Sequence, residues 1–175
     1  VPYFNVFFAE RYEMTSNTLG VLFSLSAALT AIGTLIGPRL VDVLGTKIRT
    51  IVATQGISLL FIQMIAFSPW GWLAAVGFLV RGVLMNMASP LFSAFSMEET
   101  PPEEQGVVNS LLSISWTFGW VVGPFLSGVI QENFGYTPIF ITTTILYAAN
   151  TSLVWYFFRN YEKRQITPKA VPVED

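Results

Sequence analysis

Long apolar stretches separated by short polar breaks dominate the chain, and five of them lie at about 19–40, 48–67, 71–95, 106–130 and 136–158. Each has roughly the 20 residues that cross about 30 Å of hydrocarbon. Lipid offers an open backbone no hydrogen-bond partner, so each stretch is predicted to be a helix. Ahead of them, residues 1–8 (VPYFNVFF) are too short to span and read as the end of a helix whose beginning is absent. Residues 10–17 (ERYEMTSN) read as a polar loop, with Ser16 or Asn17 capping the next helix. The predicted fold is all-α: a polytopic transmembrane helical bundle of five full spans and a partial one.

The stretch 109–128 (NSLLSISWTFGWVVGPFLSG) carries the most pronounced two-sided pattern. Plotted at about 100° per residue, Asn109, Ser113, Trp116, Trp120, Gly123 and Ser127 share one side. Leu111, Ile114, Phe118, Val121, Val122, Phe125 and Val129 fall on the other. The apolar side suits lipid, and the small, polar side suits other helices or a watery cavity. Gly119, Gly123 and Gly128 are expected to let another backbone approach closely. Pro124 removes one backbone donor and is expected to bend the helix.

Composition narrows the class further. Of 175 residues, 53% are hydrophobic and 11% charged, with a mean hydropathy of +0.57, whereas a soluble domain carries about 25% charged residues. The lipid bilayer is therefore the expected surroundings. The net charge of -2 gives no sign of a nucleic-acid partner. Without Cys or His there is no disulfide frame, no thiolate or imidazole metal ligand and no imidazole base. Nucleophile–base pairs, metal-ligand clusters and phosphate-binding loops are also missing, so no enzyme activity, cofactor or metal is expected. No cleavable signal peptide is visible, and the chain starts without Met inside an aromatic segment.

Basic residues set the expected orientation. Arg39, Lys47 and Arg49 flank the break between the first two spans, and Arg159, Lys163, Arg164 and Lys169 come after the last. An even number of crossings separates the two groups, which places both on one side, expected to be cytoplasmic. The opposite breaks hold Arg11 and the interfacial aromatics Trp70, Trp72 and Tyr136. Residues 159–175 form an expected cytoplasmic tail, disordered towards its end.

Arg81 is the costliest residue, since insertion scales put Arg near a helix centre at roughly +2.5 to +3.5 kcal/mol. It lies beside a sector holding Gly82, Asn86, Ser89 and Ser93, so it should face the bundle or a cavity. Such a charge either contacts an anionic substrate, responds to proton coupling, or is satisfied by helix-end carbonyls. Asn86, Asn109, Ser113, Thr54, Gln55 and Gln63 either line a pathway or bond across helices, the latter worth about 0.6 kcal/mol each. Trp116 and Trp120 either meet an aromatic or amphipathic solute or fill a core. No Asp, Glu or His lies in the body of a span, so a proton-driven carrier would hold its titrating carboxylate elsewhere.

The break at 37–49 reads GPRLVDVLGTKIR, with Asp42 at a helix end, Gly45 for a tight turn, and Lys47 and Arg49 as surface charge. Here the chain resembles one half of a major facilitator superfamily transporter. That family carries a G-x-L-a-D-r-x-G-r-k loop between the second and third helices of each six-helix half. Leu40, Asp42, Gly45 and Lys47 match it; Pro38, Val43 and Thr46 do not. Arg81 matches an Arg in the fourth helix of a half, although Leu84 and Met85 replace its Gly-rich surroundings. Gly119, Gly123, Pro124 and Gly128 match the fifth-helix pattern g-x-x-x-G-P-x-x-G-G, with Ser127 in place of one Gly.

The resemblance covers nearly all of the chain to about Phe158 and implies a six-helix half over 1–158. The degraded loop motif and the polar tail favour the C-terminal half; in an N-terminal half the Gly-Pro motif would point to antiporters. The activity that the resemblance implies is alternating-access transport of a small solute, active or facilitated, in the plasma membrane, with the N-terminal half as missing partner. Asp42, Gly45 and Lys47 would form a conformational latch, the carboxylate competing for the positive end of a helix in the other half. Gly119, Gly123, Pro124 and Gly128 would form a pliant packing surface. Arg81, Asn86, Asn109, Ser113, Trp116 and Trp120 would line the substrate or coupling pathway. A non-transporting receptor or scaffold of this fold is the alternative, because fold does not fix function.

Overall fold

The computed structural model describes residues 4–166, with side chains through Arg159. It consists of six helices: α1 (Phe4–Tyr12), α2 (Ser16–Leu44), α3 (Lys47–Phe67), α4 (Gly71–Glu98), α5 (Gln105–Phe134) and α6 (Tyr136–Ile166). No strand occurs among the described residues, so the all-α expectation holds. Among them, α2, α3, α4 and α5 are long and apolar enough to cross a membrane. The fifth expected span, α6, falls outside that set. Thr142, Thr143, Thr144, Asn150 and Thr151 dilute its apolar positions, and two of these hydroxyls serve α3. Gln63 Nε2 donates to Thr144 Oγ1 at 2.7 Å, and Thr151 Oγ1 donates to Gln55 Oε1 at 3.4 Å. The pairing runs in opposite chain directions, so α3 and α6 are antiparallel.

Residues 10–17 are not one loop. Helix α1 continues to Tyr12, and the turn to α2 is short, with Glu13 at a left-handed φ of 51°. Thr15, not Ser16 or Asn17, caps α2: its backbone is extended and its hydroxyl accepts the Thr18 N–H at 3.4 Å. At the other end Gly45 closes α2 with φ 86°, a conformation that costs a side-chain-bearing residue about 1–2 kcal/mol. Thr46 then caps α3 through the Arg49 N–H at 3.3 Å. Helix α6 runs beyond Phe158 to Ile166, so the first part of the expected tail is helical. Residues 167–175, the remainder of the tail expected to be disordered, lie outside the described residues.

The core sits at the end of the bundle away from the 37–49 turn. Phe4, Phe7 and Phe8 of α1 insert among Leu22, Ile62, Ile65, Ala74 and Phe140. Their rings meet Phe78 and Phe140 edge-on or tilted at 5.0–6.1 Å, the arrangement favoured by ring quadrupoles. A smaller cluster of Ile51, Ala88 and Leu91 fills the basic end.

Close helix contact occurs between α2 and α4, not on α5. A Cβ on Gly33 would lie 2.8 Å from Val83 Cγ1, and one on Gly37 would lie 3.1 Å from the Met87 carbonyl oxygen. These are glycines four apart meeting residues four apart, a small-xxx-small contact. Gly119 and Gly123 have nothing within 4 Å of a Cβ position, and no residue of α5 is buried. The expected close backbone approach at Gly119 and Gly123 is therefore not made among the described residues.

Candidate functional site

Arg81 sits on the inward side of α4 and is partly buried. Its guanidinium lies 5.9 Å from the Phe4 ring centroid on α1 and 5.7 Å from that of Tyr147 on α6. Flat aromatic faces attract a cation through their quadrupole, by about 0.5–1 kcal/mol when exposed and more when water is excluded. The arrangement answers the desolvation problem posed by an Arg in an apolar helix, but only with neutral groups. No ion pair involving Arg81 forms among the described residues. Next along α4, Gly82 faces Ser26 Oγ and Thr30 Oγ1 of α2, at 3.4 and 3.7 Å from a Cβ position.

Tyr147 also belongs to a crevice of about 500 Å³ between α5 and α6. Trp116, Gly119, Trp120, Gly123 and Pro124 line its α5 wall, and Thr142, Thr143 and Tyr147 its α6 wall. The two indoles are 69% and 63% exposed and lie 6.5 Å apart at 59°, so they do not fill a core. The structure thus gathers Trp116, Trp120 and three of the four Gly-Pro motif residues along one cleft, with Arg81 one ring behind it. Gly128 lines a separate cavity with Glu10, Gln131 and Tyr136, where the Tyr136 hydroxyl donates to Glu10 Oε2 at 2.6 Å. Asn86, Asn109 and Ser113 are exposed and lie outside the crevice lining. The Asn86 amide donates to the Gly82 carbonyl of its own helix at 2.8 Å.

Sequence reasoning missed Phe4 and Tyr147, the partners of Arg81. A tyrosine inside an apolar helix was the available signal for the second. It also missed Gly33 and Gly37, whose four-residue spacing was legible.

At the basic end, Asp42 is exposed near the C-terminus of α2, and Lys47 at the start of α3 pairs with Glu98 at the end of α4. The pair ties two helices of this chain together, at side-chain exposures of 25% and 53%. An ion pair that wet is worth about 0.2–1 kcal/mol. Lys47→Met is accordingly expected to lower thermal stability by less than about 1 kcal/mol. A melting curve whose Lys47→Met deficit shrinks as salt rises checks it.

Comparisons with known proteins bear on the family. The chain is 26% identical over 141 residues to the multidrug resistance protein MdtG of Yersinia enterocolitica, covering 80% of this chain and 33% of that protein. It is 28% identical over 144 residues to a multi-drug resistance efflux pump PmrA homolog of Lactococcus lactis, covering 82% and 35%. A gallate transporter of Pseudomonas putida is 26% identical over 147 residues, covering 84% and 32%. The chain therefore spans about a third of the length of these relatives. No solved structure gives a significant match. A family description matches residues 1–173, taking in every helix above, and on that ground the chain belongs to the Major Facilitator Superfamily of membrane transporters.

Proposed function

We propose that this chain is the C-terminal six-helix half, over 1–158, of a carrier that moves a small solute across the plasma membrane by alternating access. In this reading α6 is a full span, the C-terminus is cytoplasmic, and the partner is the N-terminal half of the same transporter. The observation that carries it is α5: 30 residues of apolar helix with none buried. A face of that size needs a covering surface beyond lipid, because one side bears Asn109, Ser113, Trp116 and Trp120. Asp42 is exposed where it would reach helix donors in the other half. The absence of a nucleophile–base pair in the sequence supports a carrier and not an enzyme. Relatives named for multidrug resistance and for gallate transport support transport of a small solute.

The test is solute uptake by vesicles containing the full-length protein, with a panel spanning gallate, ethidium and a neutral sugar, with and without a proton gradient. Time-dependent, saturable uptake of at least one solute is expected, and none by the 175-residue chain alone. Efficient uptake by the isolated chain would contradict the half-carrier reading. No uptake of any solute by the full-length protein would sink transport itself.

A further inference from the structure

We infer that the crevice between α5 and α6 is a binding site for a planar aromatic anion, its ring held by Trp116 and Trp120 and its charge drawn by Arg81 through Tyr147. The inference rests on the carrier reading above and gives it a substrate class.

Size comes first. About 500 Å³ lies within the range of about 300–1,000 Å³ typical of small-molecule sites and accommodates one or two fused rings. Shape comes from the α5 wall. Trp116 and Trp120 stand one turn apart and inclined at 59°, so they form a corner and not a closed stack. A flat solute entering that corner meets one indole face-on and the other by its edge, both favourable for aromatic pairs. Gly119 and Gly123 lie between and beyond the indoles with open space at their Cβ positions, which keeps the wall recessed.

Charge decides the class. No carboxylate is among the residues lining the crevice, so a cation entering it finds no counter-charge there. The charge nearby is positive: Arg81 lies against the ring of Tyr147, itself part of the lining, and forms no ion pair among the described residues. An unneutralised guanidinium in apolar surroundings acts over a longer range than in water. Thr142 and Thr143 add hydroxyl donors on the same wall as Tyr147. An anion is the ligand that relieves the uncompensated charge while its ring occupies the indole corner.

The test is equilibrium binding of radiolabelled 2-naphthoate to the full-length protein in nanodiscs, with 2-naphthamide and 2-naphthylmethylammonium as neutral and cationic competitors. Saturable naphthoate binding is expected, with both competitors at least about tenfold weaker. Trp116→Ala with Trp120→Ala should weaken naphthoate by about tenfold or more, from lost stacking at two rings. Trp116→Phe with Trp120→Phe should retain most of it, and Trp72→Ala, at the far interface, should change nothing. The indoles are exposed, so their truncation leaves the core intact. Equal competition by the amide, unchanged binding in the double alanine variant, or no saturable binding overturns the proposal; the last is the outcome if a lipid chain or another helix fills the crevice. Uptake of ethidium without naphthoate binding sinks this inference and leaves the carrier reading standing. Naphthoate binding without uptake of any solute does the reverse.

Discussion

Arg81→Ala is expected to reduce uptake of an aromatic anion by about ten- to hundredfold at unchanged membrane level. The magnitude comes from removing the positive charge that draws the anion across the Tyr147 ring, an attraction of about 2 kcal/mol at the effective dielectric of a protein site. Arg81→Lys separates two roles of the side chain. Lysine keeps the charge but loses the planar guanidinium that lies over Phe4 and Tyr147. It is also more strongly hydrated, so it should restore only part of the uptake. Initial rates in vesicles, normalised to protein in the membrane, give the measurement. Loss in both variants makes Arg81 a binding or coupling residue. Normal rates in both make it structural and move the substrate contacts elsewhere.

Gly37→Leu is expected to have the largest effect on stability. A Cβ there already stands 3.1 Å from the Met87 carbonyl and 3.7 Å from the Met87 Cα, and backbone cannot swing aside as a side-chain tip can. Leucine would force α2 from α4, at a cost of about 1–3 kcal/mol or more for overpacking. Gly33→Ala should be milder because alanine adds a single methyl, although the Val83 Cγ1 at 2.8 Å and the Val83 carbonyl oxygen at 3.3 Å must both give way. Gly119→Ala provides the contrast: with nothing within 4 Å, and alanine the better helix former by about 1 kcal/mol, it should be neutral or slightly stabilising. Thermal unfolding in detergent, read by size-exclusion of the folded fraction, ranks the three. A Gly119→Ala variant less stable than Gly37→Leu would mean that α5, not α2, carries the tight packing.

The class, the helices and the family were legible in the sequence. Apolar length and the scarcity of charge dictate membrane helices, because lipid leaves the backbone no other way to bond itself. The single Arg in an apolar stretch marked α4, and Gly45 marked the turn after α2, each through a local cost that a short window contains. The polar groups Gln55 and Gln63 were also visible, but their use was not. That they bond Thr151 and Thr144 depends on α6 lying antiparallel beside α3, across 96 and 81 residues of chain.

What the local pattern left open has one cause. The glycines of α5 carry the same small-residue signal as those of α2, yet Gly33 and Gly37 meet a neighbouring helix closely and Gly119 and Gly123 do not. A glycine permits close approach; which helix approaches is a property of the whole bundle. Likewise the aromatic run at the start of the chain shows its type locally but not its packing, which buries Phe7 and Phe8 among the other helices. Sequence alone determined what each segment is, because backbone satisfaction in lipid and the price of burying charge are local. Tertiary structure alone decided what each segment touches: Arg81 against Phe4 and Tyr147, Trp116 and Trp120 on an open crevice, and α2 locked to α4. Those pairings bring together residues far apart in the chain, and no periodicity encodes them.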